Sequence, residues 1–421
     1  MKLKKTLERL QKLHPKEIDL SLDRIKNLCK KLDNPQENLK CISIVGTNGK
    51  YSTIQAIRAI LKEANIKCNI YTSPHILKIN ERFVFNDNEI SDDNLVKLLL
   101  EVEEINAGDQ ITYFEFLTAA FFYYANKFHK NINLIESGLF HRFDATNIIK
   151  KNLASIVTTI GLDHLDWLPE NEKTIEKIIF EKTSSLLHSK IVVNKQSSIE
   201  ILETIKKNIK KNTSKKIFYN DNFSCLENEN GFIYYEDEFG GLKLPKTNLL
   251  GKFQIENIAT AIATLRHLNL QVKDNHIKNG ITKIKSIARL QEIKNGKLKK
   301  LCKNNKIFID GSHNPLGAKV LNEYIESLNC NKHIILGMMD NKNHKEYIKY
   351  FKNISSLITI DIPNQPNAIK GIKLKEILNE YKKTIFKKSV VEAIKSINLL
   401  ENDIIVITGS LYLAGEVLKL N

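Results

Sequence analysis

The spacing of apolar positions changes period many times along this chain, and each change predicts an element. The run Ile42, Ile44 and Val45 reads as a buried strand. It breaks at Gly46-Thr47-Asn48-Gly49-Lys50, and helical spacing opens at Tyr51-Ser52-Thr53 and continues to about Ala64. Ahead of it, an amphipathic helix is expected over about Lys4–Leu13, and Asp19 or Ser21 is placed to cap a helix beginning near Leu22. Beyond it come a strand at Cys68–Tyr71, a helix from a Ser91 or Asp92 cap to about Ile105, and a helix over about Tyr113–Phe128 apolar enough to be buried on most sides.

Strands then recur with helices between them, at Ile132–Glu136, Ala154–Ile160 and Ile191–Val193. This rhythm predicts a mainly parallel, doubly wound sheet. Residues 217–245 alternate and carry turn signals at Asn230-Gly231 and Gly240-Gly241, which predicts a small antiparallel patch. Helices follow at about Phe253–Leu268 and near His276–Ile284. A second series starts at Lys306, with strands at Ile307–Asp310, Ile334–Leu336, Leu357–Ile360 and Ile404–Ile407. Its helices fall near Leu316–Leu328, Lys345–Phe351, Leu374–Tyr381 and Val390–Leu400. The expected fold class is α/β, with a larger domain over 1–286 and a smaller one over 287–421.

With 421 residues the chain is too long for one small core, and its 42% hydrophobic content supplies more than one. No apolar run is long enough to span a bilayer, so no membrane partner is expected. The basic N-terminus lacks the apolar stretch of a signal peptide. Cys29, Cys41, Cys68, Cys225, Cys302 and Cys330 form no CxxC pair, which argues against a zinc site or disulfide framework and fits the cytoplasm. The net charge of +16 invites a nucleic-acid reading, but the excess is lysine, and arginine appears only at Arg9, Arg24, Arg58, Arg82, Arg142, Arg266 and Arg289. Base readers favour the guanidinium fork, so the lysines read as a solvated surface that attracts small anions, and no nucleic-acid partner is expected. A monomer is expected.

Strand, glycine turn, lysine and helix form the layout of a phosphate cradle, in which backbone N–H groups and a lysine charge face an anion. The match is imperfect: the usual pattern has glycine where Ile44 stands and Ser or Thr where Tyr51 stands. Other polar residues fall at strand ends, where an α/β sheet forms its crevice: Ser73, Glu136, Asp163, His164, Asp310 and His313. A carboxylate, an imidazole and a hydroxyl beside phosphates suit Mg²⁺ or Mn²⁺. Each residue alone is more simply a cap or a turn; their convergence is what points to a site.

The segments SIVGTNGKYST, YTSPHILKINER, ITYFEFLTAA, IESGLFHRFDATN, IGLDHLDWL, FEKTSSL, LLGKFQIENIATA, ARLQE, IDGSHNPLGA and ITGSLYLAGE occur in this order. Together they resemble the folylpolyglutamate synthase and dihydrofolate synthase family of the Mur ligase superfamily, across nearly the whole chain. HPKEIDLSLDRI resembles the dihydrofolate synthase subset. The resemblance implies a P-loop ATPase domain with a mainly parallel sheet, a smaller Rossmann-like C-terminal domain, and ATP as co-substrate held between them with Mg²⁺. It implies transfer of L-glutamate to dihydropteroate and to folates through an acyl phosphate.

Carried over residue by residue, Thr47, Asn48, Gly49 and Lys50 match the phosphate loop, and Asn257, Arg289, Asp310 and His313 match nucleotide contacts. Ser73, Glu136, His164 and Lys182 match metal ligands; Lys182 stands where the family has a carbamylated lysine. The resemblance implies Lys50, Glu136, His164 and Lys182 as the catalytic set. Leu20, Ser21, Leu22 and Asp23, with Thr112, Tyr113, Phe114 and Glu115 and with Phe143, Asp144 and Ala145, match segments lining the pterin-side pocket. There Tyr113 or Phe114 is expected to stack on the pterin, and Asp23 or Asp144 to accept its N–H groups. Three departures stand out: Tyr51 for glycine, Phe140-His141 for Gly-Gly, and Ile287-Ala288 for Pro-Gly. Phe140 and His141 are expected to narrow the pocket and favour the shorter substrate. The departures also support a rival reading, a nucleotide-binding protein with lost or altered ligase activity. A second rival, a ligase acting on a peptidoglycan precursor, carries an extra domain ahead of the glycine turn; the roughly forty-five residues before Gly46 are few for one.

Overall fold

The computed structural model describes residues 2–14, 19–186 and 189–421. Pro15–Ile18, part of the N-terminal motif noted above, lie outside the described residues. The chain divides into two compact units: residues up to His164 with Leu168–Thr247 and Glu256–Ile284, and Leu165–Trp167 with Asn248–Ile255 and Lys285–Asn421.

The first unit is built on β1 (Lys40–Val45), β2 (Cys68–Tyr71), β3 (Phe83–Phe85), β4 (Asn88–Glu89), β5 (Ile132–Glu136), β6 (Asn152–Val157), β7 (Lys190–Val193) and β8 (Lys216–Phe218). Their order is β4-β3-β2-β5-β1-β6-β7-β8, parallel except where β3 meets β2 and β4. β1, the strand of Ile42, Ile44 and Val45, lies between β5 and β6, so its carboxyl end opens at the centre of the sheet. The α/β class expected from the sequence, with a mainly parallel sheet, is borne out. Parallel strands buried on both faces read as continuous apolar runs, which is why β5 has the bounds its sequence predicted.

Helices α1 (Lys2–Leu13), α2 (Asp23–Lys31), α3 (Lys50–Glu63), α4 (Asp92–Asn106), α5 (Tyr113–Ala125), α6 (Ile175–Thr183), α7 (Ile199–Asn208), α8 (Lys252–Leu268) and α9 (Asp274–Gly280) accompany this sheet in sequence. Helix α5 is the apolar one, and it buries Phe116, Leu117, Ala119, Ala120, Phe121, Phe122 and Ala125. Around it Tyr71, Phe83, Phe85 and Phe121 form an aromatic cluster with ring centroids 5.0–6.5 Å apart. The antiparallel patch is β9 (Phe223–Glu227), β10 (Ile233–Asp237) and β11 (Leu242–Leu244), turned at the two predicted glycine pairs.

Strand β6 is shorter than the predicted Ala154–Ile160. Its following residues leave the sheet to brace the glycine turn: the Thr158 N–H donates to the Val45 carbonyl, and the Thr159 carbonyl accepts from Thr47 and Asn48.

The second unit carries β12 (Gln291–Glu292), β13 (Lys306–Ile309), β14 (Lys332–Leu336), β15 (Ser356–Ile360), β16 (Thr384–Lys387) and β17 (Ile404–Thr408) in the order β12-β13-β17-β14-β15-β16. All pairs are parallel except β12–β13. Its helices are α10 (Lys297–Leu301), α11 (Pro315–Glu326), α12 (His344–Ile348), α13 (Gly371–Asn379), α14 (Val390–Lys395) and α15 (Leu411–Leu420). Phe308, Leu321, Ile334, Leu336, Tyr347, Leu374 and Val406 belong to its core.

At the amino ends of three of these strands, Asp403 accepts from the Asn331 amide, the Leu400 N–H and the His333 ring, and His333 also bonds Ser356. Burial alone pushes the Asp403 carboxyl up, but these donors outweigh it and hold it below its ordinary 3.8. Replacing Asp403 with Asn is expected to cost about 2 kcal/mol at neutral pH. A carboxylate with a depressed native value stabilises above its unfolded pKa and loses that contribution as pH falls through the native one. Thermal unfolding of both proteins checks this: the gap in midpoint should be full at neutral pH and close below about pH 4.

All six cysteines are free; Cys330 is half-buried and the others are buried. Among the described residues no helix is long and apolar enough to cross a membrane.

Candidate active site

Two glycines shape the turn after β1. Gly46 has φ +144° and Gly49 has φ +91°, both in the region that L-residues rarely adopt. A methyl group at Gly46 would penetrate Thr158, and one at Gly49 would meet the Asn257 amide. Thr47 is tied down, its N–H donating to the Thr159 carbonyl and its hydroxyl bonding both Gly161 groups. The intrahelical ladder of α3 starts with Thr53 donating to Gly49, so the N–H groups of its first turn lie outside that ladder and carry the positive end of the helix dipole.

Two lysines converge on the same carbonyl. Lys50 Nζ lies 3.3 Å from the Gly46 and Thr47 oxygens and 3.8 Å from Glu136 Oε1. Lys182 Nζ, on α6, lies 3.0 Å from the Gly46 oxygen. Glu136, the last residue of β5, is buried and accepts from the Ser73 N–H through Oε2 at 3.3 Å. Burial, reinforced by the Lys50 charge, pushes the Lys182 amine down to about 7, against the pull of Asp163 and Asp144. His164 follows Asp163 in a left-handed conformation, with Nε2 3.9 Å from Asp163 Oδ2. The structure thus gathers Gly46, Lys50, Ser73, Glu136 and Lys182 at the carboxyl edge of the central strands, the crevice such sheets use for ligands. Asn257 joins them over Gly49, where the Asn194 amide donates to it at 3.0 Å. Asn194 was missed from sequence, although it follows β7 as a polar strand-end residue, the signal that marked Ser73 and Glu136.

Mg²⁺ and Mn²⁺ take oxygen and imidazole donors, and Mg²⁺ is usually held by one or two protein groups together with phosphate oxygens and water. A buried carboxylate with a hydroxyl and an imidazole within the same strand-end region fits that donor set. Among the described residues no three His, Cys, Asp or Glu side chains are grouped to hold a metal ion.

The loop after β5 is fastened at both ends. Asp144 is buried, with Oδ2 accepting from the Gly138 and Leu139 N–H groups and Oδ1 from the Thr146 N–H and hydroxyl. Burial pushes its carboxyl above the ordinary value despite these donors. Asp144, expected as a pterin acceptor, thus also organises its own loop. On the other side, the His141 and Arg142 N–H groups donate to the Glu181 carbonyl, and Arg142 makes a bidentate bond to Glu181 at 2.7 and 2.8 Å. Sequence reasoning gave Arg142 no role.

Phe140 and His141 belong to the same loop. Both are buried, Phe140 with its ring 5.7 Å from Lys182 Nζ and 6.4 Å from the His164 ring, and His141 bonded to Ser137 at 3.0 Å. Burial and then the Lys182 charge push the His141 imidazole down to about 3, so it is neutral. Their bulk lies beside Lys182, whose amine bonds the Gly46 carbonyl. Phe140 keeps φ +54°, the conformation a glycine would adopt there at less cost.

Of the pterin-side segments, two are joined directly. Arg24 makes a bidentate bond to Glu115, both contacts at 3.0 Å, and an ion pair to Asp19, also at 3.0 Å. That ties Leu20, Ser21, Leu22 and Asp23 to the start of α5. Thr112 and Glu115 form a reciprocal capping box there, so both are structural. Ser21 accepts from the Asp23 N–H, and the Asp23 side chain is exposed. Leu22, Tyr113 and Phe114 pack on the same core as Ala145, which brings the third segment in. Phe143 packs under the Arg142 guanidinium at 4.2 Å. Phe114 and Ser73 both lie within contact of the space beside Gly138.

In the second unit, Asp310 Oδ2 accepts from Leu290 and Oδ1 from Ser312, and His313 Nδ1 lies 3.1 Å from the Gly311 carbonyl. Arg289 lies against Gly311, where a methyl group would come within 3.0 Å of the guanidinium. Ala288, another residue standing where glycine was expected, has φ +53°. Arg289, from the segment before β12, thus meets Asp310 and His313 in the loop after β13.

A family model described as the Mur ligase middle domain matches residues 44–265, and one described as the Mur ligase, glutamate ligase domain matches residues 296–411. The dihydrofolate synthase/folylpolyglutamate synthase of Bacillus subtilis is 28% identical over 94% of this chain and 94% of its own. Escherichia coli FolC in complex with DHPP and ADP superposes with a TM-score of 0.85 at 25% identity, covering 99% of this chain and 97% of that one. The bifunctional enzyme of Yersinia pestis, complexed with AMPPNP and Mn ion, gives 0.86 at 23% identity with 99% and 97% covered.

Proposed function

This chain belongs to the Mur ligase family, and on that premise we propose that it is an ATP-dependent ligase adding L-glutamate to dihydropteroate and to folates. The observation that carries the reading is the placement of Lys50, Lys182, Glu136 and Ser73 around the Gly46 turn at the open end of β1. The full-length likeness to dihydrofolate and folylpolyglutamate synthases supports the substrate class.

Thr47, Asn48, Gly49 and the start of α3 cradle the phosphates of ATP, with Asn257 against the turn. In the C-terminal ligase domain, taken to begin near residue 287, Arg289, Asp310 and His313 are the residues assigned to nucleotide contact. An oxygen of the pteroyl or folyl carboxylate attacks the γ-phosphorus, the bond to the β-phosphate oxygen breaks, and ADP leaves. Lys50 offsets the charge that spreads over the transferred oxygens; such catalysis is mostly positioning and electrostatics. Ser73, Glu136, His164 and Lys182 would hold Mg²⁺, which supplies further charge neutralisation when bound. The glutamate amine then attacks the acyl carbon, loses a proton, and phosphate leaves. Lys182 suits a neutral amine near pH 7, the form that picks up CO₂ and becomes an anion fit for a hard metal. The pterin lies over Leu20–Asp23, Tyr113, Phe114 and Ala145, with Asp23 or Asp144 as the carboxylate acceptor.

The free thiols support a reducing, cytoplasmic location, and the enzyme is taken as a monomer acting on small molecules. The test is ADP release by the purified chain with Mg-ATP, using dihydropteroate, dihydrofolate or tetrahydrofolate. Release should require both glutamate and a pteroyl or folyl acceptor. ADP formed without either, or no turnover with any acceptor, refutes the reading.

A further inference from the structure

Phe140 is held in an uncommon way. Its backbone is left-handed at φ +54°, although a bulky aromatic residue rarely adopts that conformation. The residues before it are fastened by Asp144, and the residues after it by Glu181, so its backbone is held on both sides. The ring meets His164 edge to face, with centroids 6.4 Å apart and planes at 76°. On the same ring, Lys182 Nζ lies 5.7 Å from the centroid. His164 is itself left-handed, at φ +58°. Two strained residues thus meet through their rings, beside the lysine that bonds Gly46. Strain retained where glycine would relieve it is a reason to look for function.

We infer that Phe140 is a positioning residue that fixes the His164 imidazole and the Lys182 side chain relative to each other for metal–nucleotide binding. The inference rests on the reading of His164 and Lys182 as metal-side groups. An aromatic ring does this by contact: it meets the imidazole edge to face, and its flat bulk beside Lys182 limits the paths that side chain can take. A flexible aliphatic residue at 140 offers neither.

The test uses the full chain with Phe140→Leu, which keeps apolar bulk without the ring, and Phe140→Tyr, which keeps the ring. Mn²⁺ binding in the presence of AMPPNP is followed by electron paramagnetic resonance, alongside KM and kcat for ATP. Phe140→Leu should bind Mn²⁺ with AMPPNP about tenfold more weakly and lower kcat, while KM for glutamate stays near wild type. Phe140→Tyr should stay within about threefold of wild type. If Phe140→Leu does not fold, Phe140→Met takes its place under the same criteria. Equal Mn²⁺ affinity in the ringless variant and the wild type overturns the inference, as does an equal loss in Phe140→Tyr. A wild type that binds no Mn²⁺ with AMPPNP overturns the metal-site reading instead, so the two failures are distinguishable.

Discussion

Lys50→Ala should lower kcat by about a thousandfold, the scale on which single charge-stabilising donors act in phosphoryl and acyl transfer. The lysine is positioned by two carbonyls of its own turn and stands 3.8 Å from Glu136, so its charge is aimed rather than diffuse. Its side chain supports no apolar core, and the turn is fixed independently by Thr47, Thr158 and Thr159. Unfolding should therefore shift little, within about 1 kcal/mol of wild type. Single-turnover formation of acyl phosphate separates the chemical step from product release. Turnover above about a tenth of wild type at saturating ATP contradicts the phosphate-cradle assignment.

Lys182→Met should be equally inactive, yet it should be more stable than wild type under neutral and mildly acid conditions. The amine is buried, close to the Lys50 charge, and its native value falls to about 7 from an ordinary 10.5. Between those values the unfolded chain holds a proton that the native chain lacks, so wild-type stability rises with pH across that window. Below about 7 both states are charged, and the native state bears the full desolvation penalty. Methionine removes the charge and keeps the volume. Its advantage in unfolding free energy should be largest below pH 7 and shrink towards 10.5. Loss of the bond to Gly46 offsets about 1 kcal/mol of it at every pH. Denaturant titrations at several pH values measure the slope directly. A flat difference across pH would mean that Lys182 is not the buried titrating group described here.

What could be read from the sequence follows from how each feature is encoded. Strand β5 and the turn after β1 are local signals, an apolar run and a glycine cluster, and they were legible. Strand β16 was not, because it is an edge strand flanked by lysines in which only Thr384 is buried. Lysines on an edge oppose pairing with other chains, and they also hide the strand from a reading based on apolar runs. Helix α7 was missed for a related reason: of its ten residues only Ile205 is buried, so its spacing carries little information.

The site shows the same division. The residues around Gly46 could be listed from strand ends and motifs, but their roles needed the fold. Asp144 sits in a motif that suggests recognition, while its four bonds show it organising a loop. Arg24 and Glu115 are 91 positions apart, and no periodicity links them. Phe140 and Ala288 looked like losses of flexibility, yet both retain the left-handed conformation. The substitution changes what fills the space without changing the path of the chain.

The arrangement of cysteines gives the molecule a set of chemical reporters it carries natively. Burial pushes the thiols up, and only Cys330 is partly open to solvent. A maleimide applied to the folded chain should therefore mark Cys330 first and the rest only as they become exposed. Cys29, Cys41, Cys68 and Cys225 belong to the first compact unit, and Cys302 and Cys330 to the second. Mass spectrometry of labelled peptides, taken through a denaturant series, would show which unit opens first without introducing a single substitution. A fluorophore on Cys330, between α11 and β14, would watch the second unit while nucleotide is added.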